Sequence, residues 1–445
     1  MNILRVKRKC IELLERVDCD GAYLHLVLQE AAHGTVGDPE EYPLVVQFVR
    51  GVSEQKRVLE EVLNRYLPKG LASLPQFVQY VLLLGAYQIL FLERAKKRNV
   101  VFEAVELVKG SRWKGLASLV NAVLRKIEPA VDGAERVGSQ SGTANFPEWL
   151  ISRWCKQFGE EEVKAFCRAS DAKLPLYLRV RTGRTTPAEL QTLLRHEGVD
   201  AAPSRFSDVS LQVSKLPSSV RVHELKSYKA GLFFVQDLSS TVVADLASID
   251  APQSVRDLCA APGGKACSIA LSIEERGGRV VASDRLSDRV ALIVDLAARL
   301  ELPNVHSELL DLARDERRPQ ERYDVVLLDA PCSGFGTVGR KVDARWSKSL
   351  EDIHELVSLQ STFLDRASEY VLPGGRLVYS TCTIDKEENE QVIFAFIARN
   401  PEWVVEPLDG VIDPSLCTPE GFYRAWPQHH AMAGAFAARL RRKSP

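Results

Sequence analysis

The sequence lacks a charge excess, a disulfide framework and a zinc-binding cysteine pattern. Its 445 residues carry 58 lysines and arginines against 59 aspartates and glutamates, a net charge of −1. No overall field therefore attracts polyanions, and a surface that binds them must be a local patch. The nine cysteines are an odd number and include no Cys-x-x-Cys pair, which favours neither disulfides nor a metal site. These absences predict a cytoplasmic protein that holds no metal.

The sequence also lacks an export signal and a convincing membrane span. The basic N-terminus continues into residues 10–15, which carry charge where a signal peptide needs an apolar core. Between Gly70 and Leu92 there is no charged residue, and this length approaches what a bilayer requires. Because the stretch contains Pro75 and several glutamines, we expect a buried helix in a water-soluble bundle and no membrane partner.

Compositional breaks predict a multidomain fold of about three domains. Residues 1–140 show apolar residues at three- and four-residue spacing, typical of an all-α bundle, and end in a Gly- and Ser-rich segment, 129–143, that reads as a linker. Residues 145–230 mix helical and strand patterns, which indicates a small α+β domain. In residues 231–445 strands alternate with helices, the pattern of a Rossmann-like α/β domain with a parallel sheet.

Within this last domain we predict strands whose carboxyl ends carry the functional loops, where open α/β sheets bind ligands. The predicted strands are 255–259, 279–283, 305–309, 323–328 and 376–380, followed by a hairpin of 422–426 with 435–440.

A glycine loop follows the first of these strands. It reads Cys259, Ala260, Ala261, Pro262, Gly263, Gly264 and Lys265. Its last two residues, Gly264 and Lys265, suggest a phosphate-binding P-loop. The P-loop pattern fails, however, because position 259 is Cys where it needs Gly, and position 266 is Ala where it needs Ser or Thr. What remains is a strand-to-helix turn in which proline fixes the entry and two glycines let the backbone approach a ligand closely.

Two acidic residues strengthen the prediction of a nucleoside-containing cofactor. Asp284 ends the second strand about 20 residues after the loop, where a carboxylate accepts hydrogen bonds from ribose hydroxyls. Asp311 follows the third strand, where an acid can accept from an adenine amino group.

Two cysteines follow neighbouring strands, in Asp329-Ala-Pro-Cys332 and Tyr379-Ser-Thr-Cys382, and their side chains can face one pocket. A thiolate can add to C6 of cytosine, after which C5 accepts a methyl group from a sulfonium donor. With a pKa of ~8.5 a free thiol is little ionised at neutral pH, so the attacking cysteine needs local activation. We expect the following cysteines to be buried apolar side chains: Cys10, Cys19, Cys155, Cys167, Cys267 and Cys417.

These motifs, in this order on one sheet, resemble the S-adenosylmethionine-dependent RNA cytosine-5 methyltransferases of the Nop/Sun class. The likeness runs from about Phe146 to the chain end and includes residues 231–240 and 424–427. The N-terminal helices are similar to the bacterial antitermination protein NusB. The resemblance implies S-adenosylmethionine as cofactor, bound by residues 259–265 with Asp284, Asp311 and Asp329.

The resemblance also assigns roles to the cysteines. It implies that Cys382 attacks C6 and Cys332 assists release, whereas in the DNA enzymes the Pro-Cys cysteine attacks. Asp329 would stabilise the activated base, either by donating to N3 in its protonated form or by accepting from the exocyclic amino group as a carboxylate. Lys265 can orient these groups or cap the loop.

The implied substrate is 16S rRNA, free or in early assembly, and the implied state is a monomer. Transfer RNA is the competing substrate. An RNA-binding ribosome-assembly factor without activity is the alternative from another class, which the two cysteines, Asp329 and the glycine loop disfavour. A basic cluster can contact RNA phosphates or form only a solvated face: Arg94, Lys96, Lys97, Arg98, Lys109, Arg112, Lys114, Arg125 and Lys126.

Overall fold

The computed structural model describes residues 2–19, 24, 27–28, 30–31, 41–128, 143, 145–172, 174–217, 220–250, 252–314 and 319–444. The chain forms two compact units. Unit 1 is Met1–Ala172 with Val338–Lys348, and unit 2 is Lys173–Thr337 with Ser349–Pro445. The predicted linker at 129–143 lies outside the described residues apart from Thr143, and so does the side chain of Cys19.

Unit 1 is helical throughout its described residues, as predicted. Its α-helices are α1 (Ile3–Cys19), α2 (Tyr42–Glu54), α3 (Lys56–Asn64), α4 (Gln76–Phe91), α5 (Lys97–Lys109), α6 (Ala117–Lys126), α7 (Glu148–Phe158) and α8 (Glu160–Asp171).

Helix α4 contains most of the charge-free stretch and lies in the centre of the helical core. It is apolar around its circumference, which predicts burial on all sides, and eleven of its residues are buried. A Cβ atom at Gly85 would lie 2.7 Å from Leu124 Cδ1, so glycine allows α6 to approach α4 closely. Among the described residues no helix is both long and apolar enough to cross a membrane.

The segment Val338–Lys348 completes unit 1 from a distant part of the chain. Val342 is buried in the helical core, and Asp343 Oδ2 accepts a hydrogen bond from Leu24 N at 3.4 Å. The buried Arg345 guanidinium pairs with Asp171 at 2.6 Å and lies 4.4 Å from the centre of the Phe146 ring. Sequence patterns did not predict this, because periodicity says nothing about contacts between segments far apart in the chain.

Unit 2 begins with a small antiparallel sheet in the order β2-β3-β1-β4. Helix α9 begins with a capping box between Thr186 and Glu189, which satisfies two amide groups at its first turn. These strands and helices match the mixed pattern that was predicted for this part of the chain. The elements are β1 (Leu176–Val180), α9 (Pro187–His196), β2 (Asp200–Pro203), β3 (Ser210–Lys215), α10 (Lys226–Lys229) and β4 (Phe233–Val235).

The remainder of unit 2 is built on an eight-stranded sheet in the order β10-β12-β9-β8-β5-β6-β7, with β11 paired to β12. The sheet consists of β5 (Ser254–Leu258), β6 (Arg279–Asp284), β7 (Val305–Leu309), β8 (Tyr323–Asp329), β9 (Val371–Thr381), β10 (Trp403–Val405), β11 (Tyr423–Ala425) and β12 (Ala435–Arg442).

The five predicted strands and the predicted hairpin are all present in this sheet. The strands from β9 to β7 are parallel, but β12 pairs antiparallel with β9 and with β10. The sheet is therefore mixed, and its antiparallel edge comes from the hairpin after the last crossover. Sequence analysis predicted neither β4 nor β10, each of which has three residues.

Helices cover both faces of this sheet. In β8, Val325 and Leu327 join one apolar cluster, while Val326 and Leu328 join the other, as the alternation of a strand requires. The helices are α11 (Leu238–Ser248), α12 (Gly264–Ile273), α13 (Ser287–Arg299), α14 (Leu350–Glu369), α15 (Glu390–Arg399) and α16 (Pro427–His430). Burial on both faces leaves the carboxyl edge of the parallel strands as the place where ligand-binding loops emerge.

Candidate active site

The predicted functional loops converge because β5, β8 and β9 are neighbours in the sheet. The glycine loop follows β5, Asp329 is the last residue of β8, and Cys382 comes directly after β9. Asp329 pairs in register with Ser380 of β9. The parallel arrangement therefore places the loop, the acid and both cysteine motifs at one edge of the sheet.

The glycine loop forms the tight turn that its composition predicts. Gly263 has a left-handed backbone with φ of 98°, and a Cβ atom there would lie 3.1 Å from Ile293 Cα. Its amide donates to Ala260 O at 2.8 Å. Helix α12 starts at Gly264, so backbone N–H groups of its first turn are available to an anionic group of a ligand.

Asp284 ties this loop to the neighbouring strand. Its side chain is buried, and it accepts from Ala261 N at 3.3 Å and from Leu286 N at 3.4 Å. Asp311 lies after β7, the next strand, where its carboxylate accepts from Ala313 N at 3.0 Å. Both acids thus stand at the carboxyl edge where a nucleoside would lie.

Lys265 pairs directly with Asp329. Its Nζ lies 2.6 Å from Asp329 Oδ2, and Ser380 Oγ donates to Asp329 Oδ1 at 2.8 Å. Burial alone would lower the pKa of Lys265, but the charge of Asp329 and its hydrogen bond outweigh burial and raise that pKa. Both oxygens of Asp329 act as acceptors, one from the ammonium group of Lys265 and one from the hydroxyl of Ser380.

A second acid lies beneath the pair. Asp257 in β5 is fully buried, and its two oxygens have no hydrogen-bond partner among the described residues. Burial, and then the charge of Asp329, raise the pKa of Asp257 well above its usual value. The charge of Lys265 opposes this rise, but the ion pair of Lys265 is with Asp329.

The two motif cysteines are in contact. Their Sγ atoms are 3.3 Å apart. The hydrogen bond to Cys382, followed by burial and by the charges of Cys382 and Glu388, raises the pKa of Cys332 well above its usual value. The geometry fits either sulfur as the donor, and the raised pKa of Cys332 favours the proton on its sulfur. A thiolate on Cys382 also helps to raise the pKa of Lys265, and because this attraction is mutual, Lys265 stabilises that thiolate.

The other cysteines behave differently. Cys10, Cys167 and Cys267 are buried as expected, and burial raises the pKa of Cys10 and of Cys267 to about 12. Cys155 and Cys417 are only partly buried, so the prediction was wrong for their degree of burial. Periodic patterns do not separate a core position from a position at its margin.

Sequence analysis missed one residue of this site, Glu388. Its carboxylate is fully buried and accepts from Ser333 N and Ser333 Oγ, next to Cys332. The available signal was the acidic run at 387–390, shortly after Cys382. An acidic run usually indicates a solvated face, and only the fold shows that this carboxylate points inward.

A mainly parallel sheet, with a glycine loop after one strand and an acid at the end of the next, is typical of an α/β domain that binds a nucleotide cofactor. Comparison with known proteins specifies the family. The family model described as "16S rRNA methyltransferase RsmB/F" matches residues 246–441. The NusB family model matches residues 5–129, and the "Methyltr_RsmF/B-like, ferredoxin-like domain" model matches residues 146–223.

Relatives match nearly the whole chain. The "Probable ribosomal RNA small subunit methyltransferase B" of Bacillus subtilis is 32% identical over 404 residues, which cover 89% of each chain. Among solved structures, "Crystal Structure of PH0851" matches with a TM-score of 0.78 at 25% identity and covers 98% of each chain. The structure of NSun6 from Pyrococcus horikoshii with SFG has a TM-score of 0.59 at 22% identity, covering 67% of this chain and 99% of that one.

The chain belongs to the 16S rRNA methyltransferase RsmB/F family. The family prediction, the three-part fold class and the assignment of S-adenosylmethionine as methyl donor are confirmed at this level. The protein is thus a methyltransferase with an RNA substrate.

Proposed function

We propose that this protein methylates C5 of a cytosine in 16S rRNA through a covalent bond between Cys382 Sγ and C6 of the base. The observation that carries the proposal is the contact of the Cys332 and Cys382 sulfur atoms at 3.3 Å, beside the Lys265–Asp329 ion pair. C5 of cytosine is a poor nucleophile until a thiolate adds at C6. A polarised pair of thiols next to a fixed carboxylate supplies what that addition requires, without a metal ion.

In the first step Cys382 attacks as the thiolate, while Cys332 keeps its proton. The C6–Sγ bond forms, and the electron pair of the C5–C6 double bond shifts to C5 and the adjoining C4–N3 unit, which makes C5 nucleophilic. Asp329, which is positioned by Lys265 and Ser380, accepts a hydrogen bond from the exocyclic amino group and so favours cytosine over uracil. This geometry supports the acceptor role for Asp329 over donation to N3.

S-adenosylmethionine, when bound, supplies an electrophilic methyl group on a sulfonium. We assign its binding to residues 259–265, with Asp284 for the ribose hydroxyls, Asp311 for the adenine amino group and Asp329 at the reacting end. After methyl transfer a base removes the C5 proton, the C5–C6 double bond forms again and Cys382 leaves C6 as a thiolate, which restores the aromatic ring. Cys332 is the residue we assign to this release.

The domain proposal divides the chain into an RNA-binding helical domain at 1–140, an α+β domain at 145–230 and the catalytic domain at 231–445. The matched models at 5–129, 146–223 and 246–441 support this division. By its internal contacts, however, the helical pair α7 and α8 belongs to unit 1. We further propose that the protein acts as a cytoplasmic monomer on free or early-assembly 16S rRNA.

A groove on unit 1 supports RNA contact by the predicted basic cluster. The groove has a volume of about 630 Å³ and is lined by four of the basic residues, Lys97, Arg98, Lys109 and Arg125. Phe102 also lines it and is 63% exposed, unusual for a large apolar side chain. Bases of unpaired RNA stack on exposed aromatic rings while basic side chains contact the backbone. We therefore assign this groove to a single-stranded RNA segment.

Substitutions in the groove should weaken RNA binding in two distinguishable ways. Lys97→Ala with Arg98→Ala should weaken binding and reduce the slope of log K against log salt by about 1 per lost phosphate contact. Phe102→Ala should weaken binding by about 1–3 kcal/mol without changing that slope. Fluorescence anisotropy across a salt series measures both quantities.

Lys69→Ala, an exposed lysine outside the groove, is the matched control and should change neither quantity. If the double variant keeps the wild-type slope of log K against log salt, the basic cluster is a solvated face that does not contact RNA phosphates. Point substitutions are preferable to removing residues 1–142, because Val342 packs in the same helical core. The deletion would expose the side chain of Val342 to solvent.

Bisulfite sequencing of ribosomal and transfer RNA, with and without the gene, tests the reaction itself. We expect one 16S rRNA cytosine to lose its resistance to conversion when the gene is deleted. A lost site in transfer RNA would identify the competing substrate. An unchanged pattern in both would instead favour the assembly factor without activity.

A further inference from the structure

Glu388 connects the two cysteine loops. Its Oε1 accepts from Ser333 Oγ at 2.5 Å and its Oε2 accepts from Ser333 N at 2.8 Å, so both oxygens hold the residue that follows Cys332. Ser333 Oγ also lies 2.8 Å from Thr383 Oγ1, and Thr383 is the residue that follows Cys382. One buried carboxylate thus fixes both cysteines through the residue next to each.

The network around Glu388 has further anchors. Gln360 of α14 donates to Glu388 Oε2 at 3.0 Å and to Pro331 O at 2.8 Å, so a helix braces the same loop. Tyr379 OH donates to Glu388 O at 2.7 Å. Burial raises the pKa of Glu388, and the hydrogen bonds from Ser333 and Gln360 oppose that rise because they stabilise the carboxylate.

The charge of Glu388 acts unequally on the cysteines. It contributes to raising the pKa of Cys332, after the hydrogen bond to Cys382 and burial. Besides Glu388, the titratable groups that interact with the cysteines or with Glu388 are Tyr379, Asp385 and the Lys265–Asp329 pair. A negative charge near Cys332 and a positive charge near Cys382 polarise the pair in one direction.

We propose that Glu388 is a positioning residue for the cysteine pair. Its carboxylate holds the loops that carry Cys332 and Cys382 at sulfur contact distance, and its charge keeps the shared proton on Cys332, so that Cys382 is the thiolate. The catalytic meaning of this arrangement rests on the proposed C5 methylation, but the arrangement itself can be tested without RNA.

The test is the pH dependence of cysteine alkylation by iodoacetamide in the full chain, read by mass spectrometry at each cysteine. Removing a negative charge lowers the pKa of a neighbouring thiol, so Glu388→Gln should move the midpoint for Cys332 to lower pH. Loosening of the loops alone would raise the alkylation rate without moving the midpoint. In methylation assays the same variant should lose kcat by about 10- to 100-fold with KM for RNA unchanged, since small displacements of reacting groups cost this much.

Glu390→Gln is the matched control. Glu390 is also buried, but it pairs with Arg424 and not with the cysteine loops. This variant should lower Tm and leave the Cys332 midpoint in place. The proposal is overturned if Glu388→Gln keeps the wild-type midpoint, or if Glu390→Gln moves it equally. Neither result depends on whether the RNA reaction is the one proposed.

Discussion

Cys382→Ala should be inactive and should form no covalent adduct with RNA, because no thiolate remains to attack C6 and C5 stays unreactive. Cys332, although its sulfur lies 3.3 Å away, should not replace it. The variant removes the hydrogen bond to Cys382, which is the largest cause of the raised pKa of Cys332, but burial and the charge of Glu388 still raise that pKa. The ammonium group of Lys265 interacts with Cys382.

Cys332→Ala should show the opposite behaviour. Cys382 can still attack C6, and C5 of the base can still receive the methyl group. Because release is slow, a protein–RNA adduct that is stable in denaturing gels should accumulate. The variant also loses the hydrogen bond between the two sulfur atoms, and the remaining thiol should be alkylated at a different midpoint pH.

Denaturing gels with labelled RNA and a methyl-transfer assay distinguish these outcomes. Cys417→Ala, a partly buried cysteine away from the motif loops, is the control and should resemble wild type. An adduct in Cys382→Ala and none in Cys332→Ala would assign the attack to Cys332, as in DNA cytosine methyltransferases. Full activity in both variants would contradict covalent catalysis altogether.

Asp329→Asn should lower kcat by about 10²- to 10³-fold, the usual cost of removing one preorganised electrostatic contact to the reacting group. The substitution keeps the shape of the side chain but removes the charge that pairs with Lys265 at 2.6 Å. An amide also presents a donor where the exocyclic amino group of cytosine needs an acceptor. Both changes act on the activated base.

Ser380→Ala is the control for Asp329→Asn. It removes only the hydrogen bond to Asp329 Oδ1 at 2.8 Å and leaves the ion pair, so its effect on kcat should be much smaller. Calorimetry of S-adenosylmethionine binding separates the two roles assigned to Asp329. A wild-type kcat with weakened cofactor binding would restrict Asp329 to holding the cofactor.

Local features of the sequence predicted most of the catalytic sheet. The strand at 323–328 is a short and mainly apolar segment between turn signals, and the strand at 305–309 follows from the alternation of strands with helices. The structure reproduces both strands within one residue. The three-residue strands β4 and β10 have too few residues to show a period, so only their partners in the sheet define them.

The roles of Lys265 and Glu388 were not predictable in the same way. Lys265 was compatible with capping its own loop, and its partner Asp329 is 64 positions away. Glu388 belongs to an acidic run whose ordinary environment is solvent. Its partner Ser333 is 55 positions away, and only the pairing of β8 with β9 brings them together.

The sequence by itself determined the domain classes, the family, the cofactor loop and the residue types that can perform cysteine chemistry, because these features depend on spacing within short segments. The tertiary structure decided which groups touch: the two sulfur atoms, the Lys265–Asp329 pair, the Glu388 carboxylate and the return of Val338–Lys348 to the helical unit. Contacts between residues distant in the chain arise from strand order and packing, which local patterns do not encode.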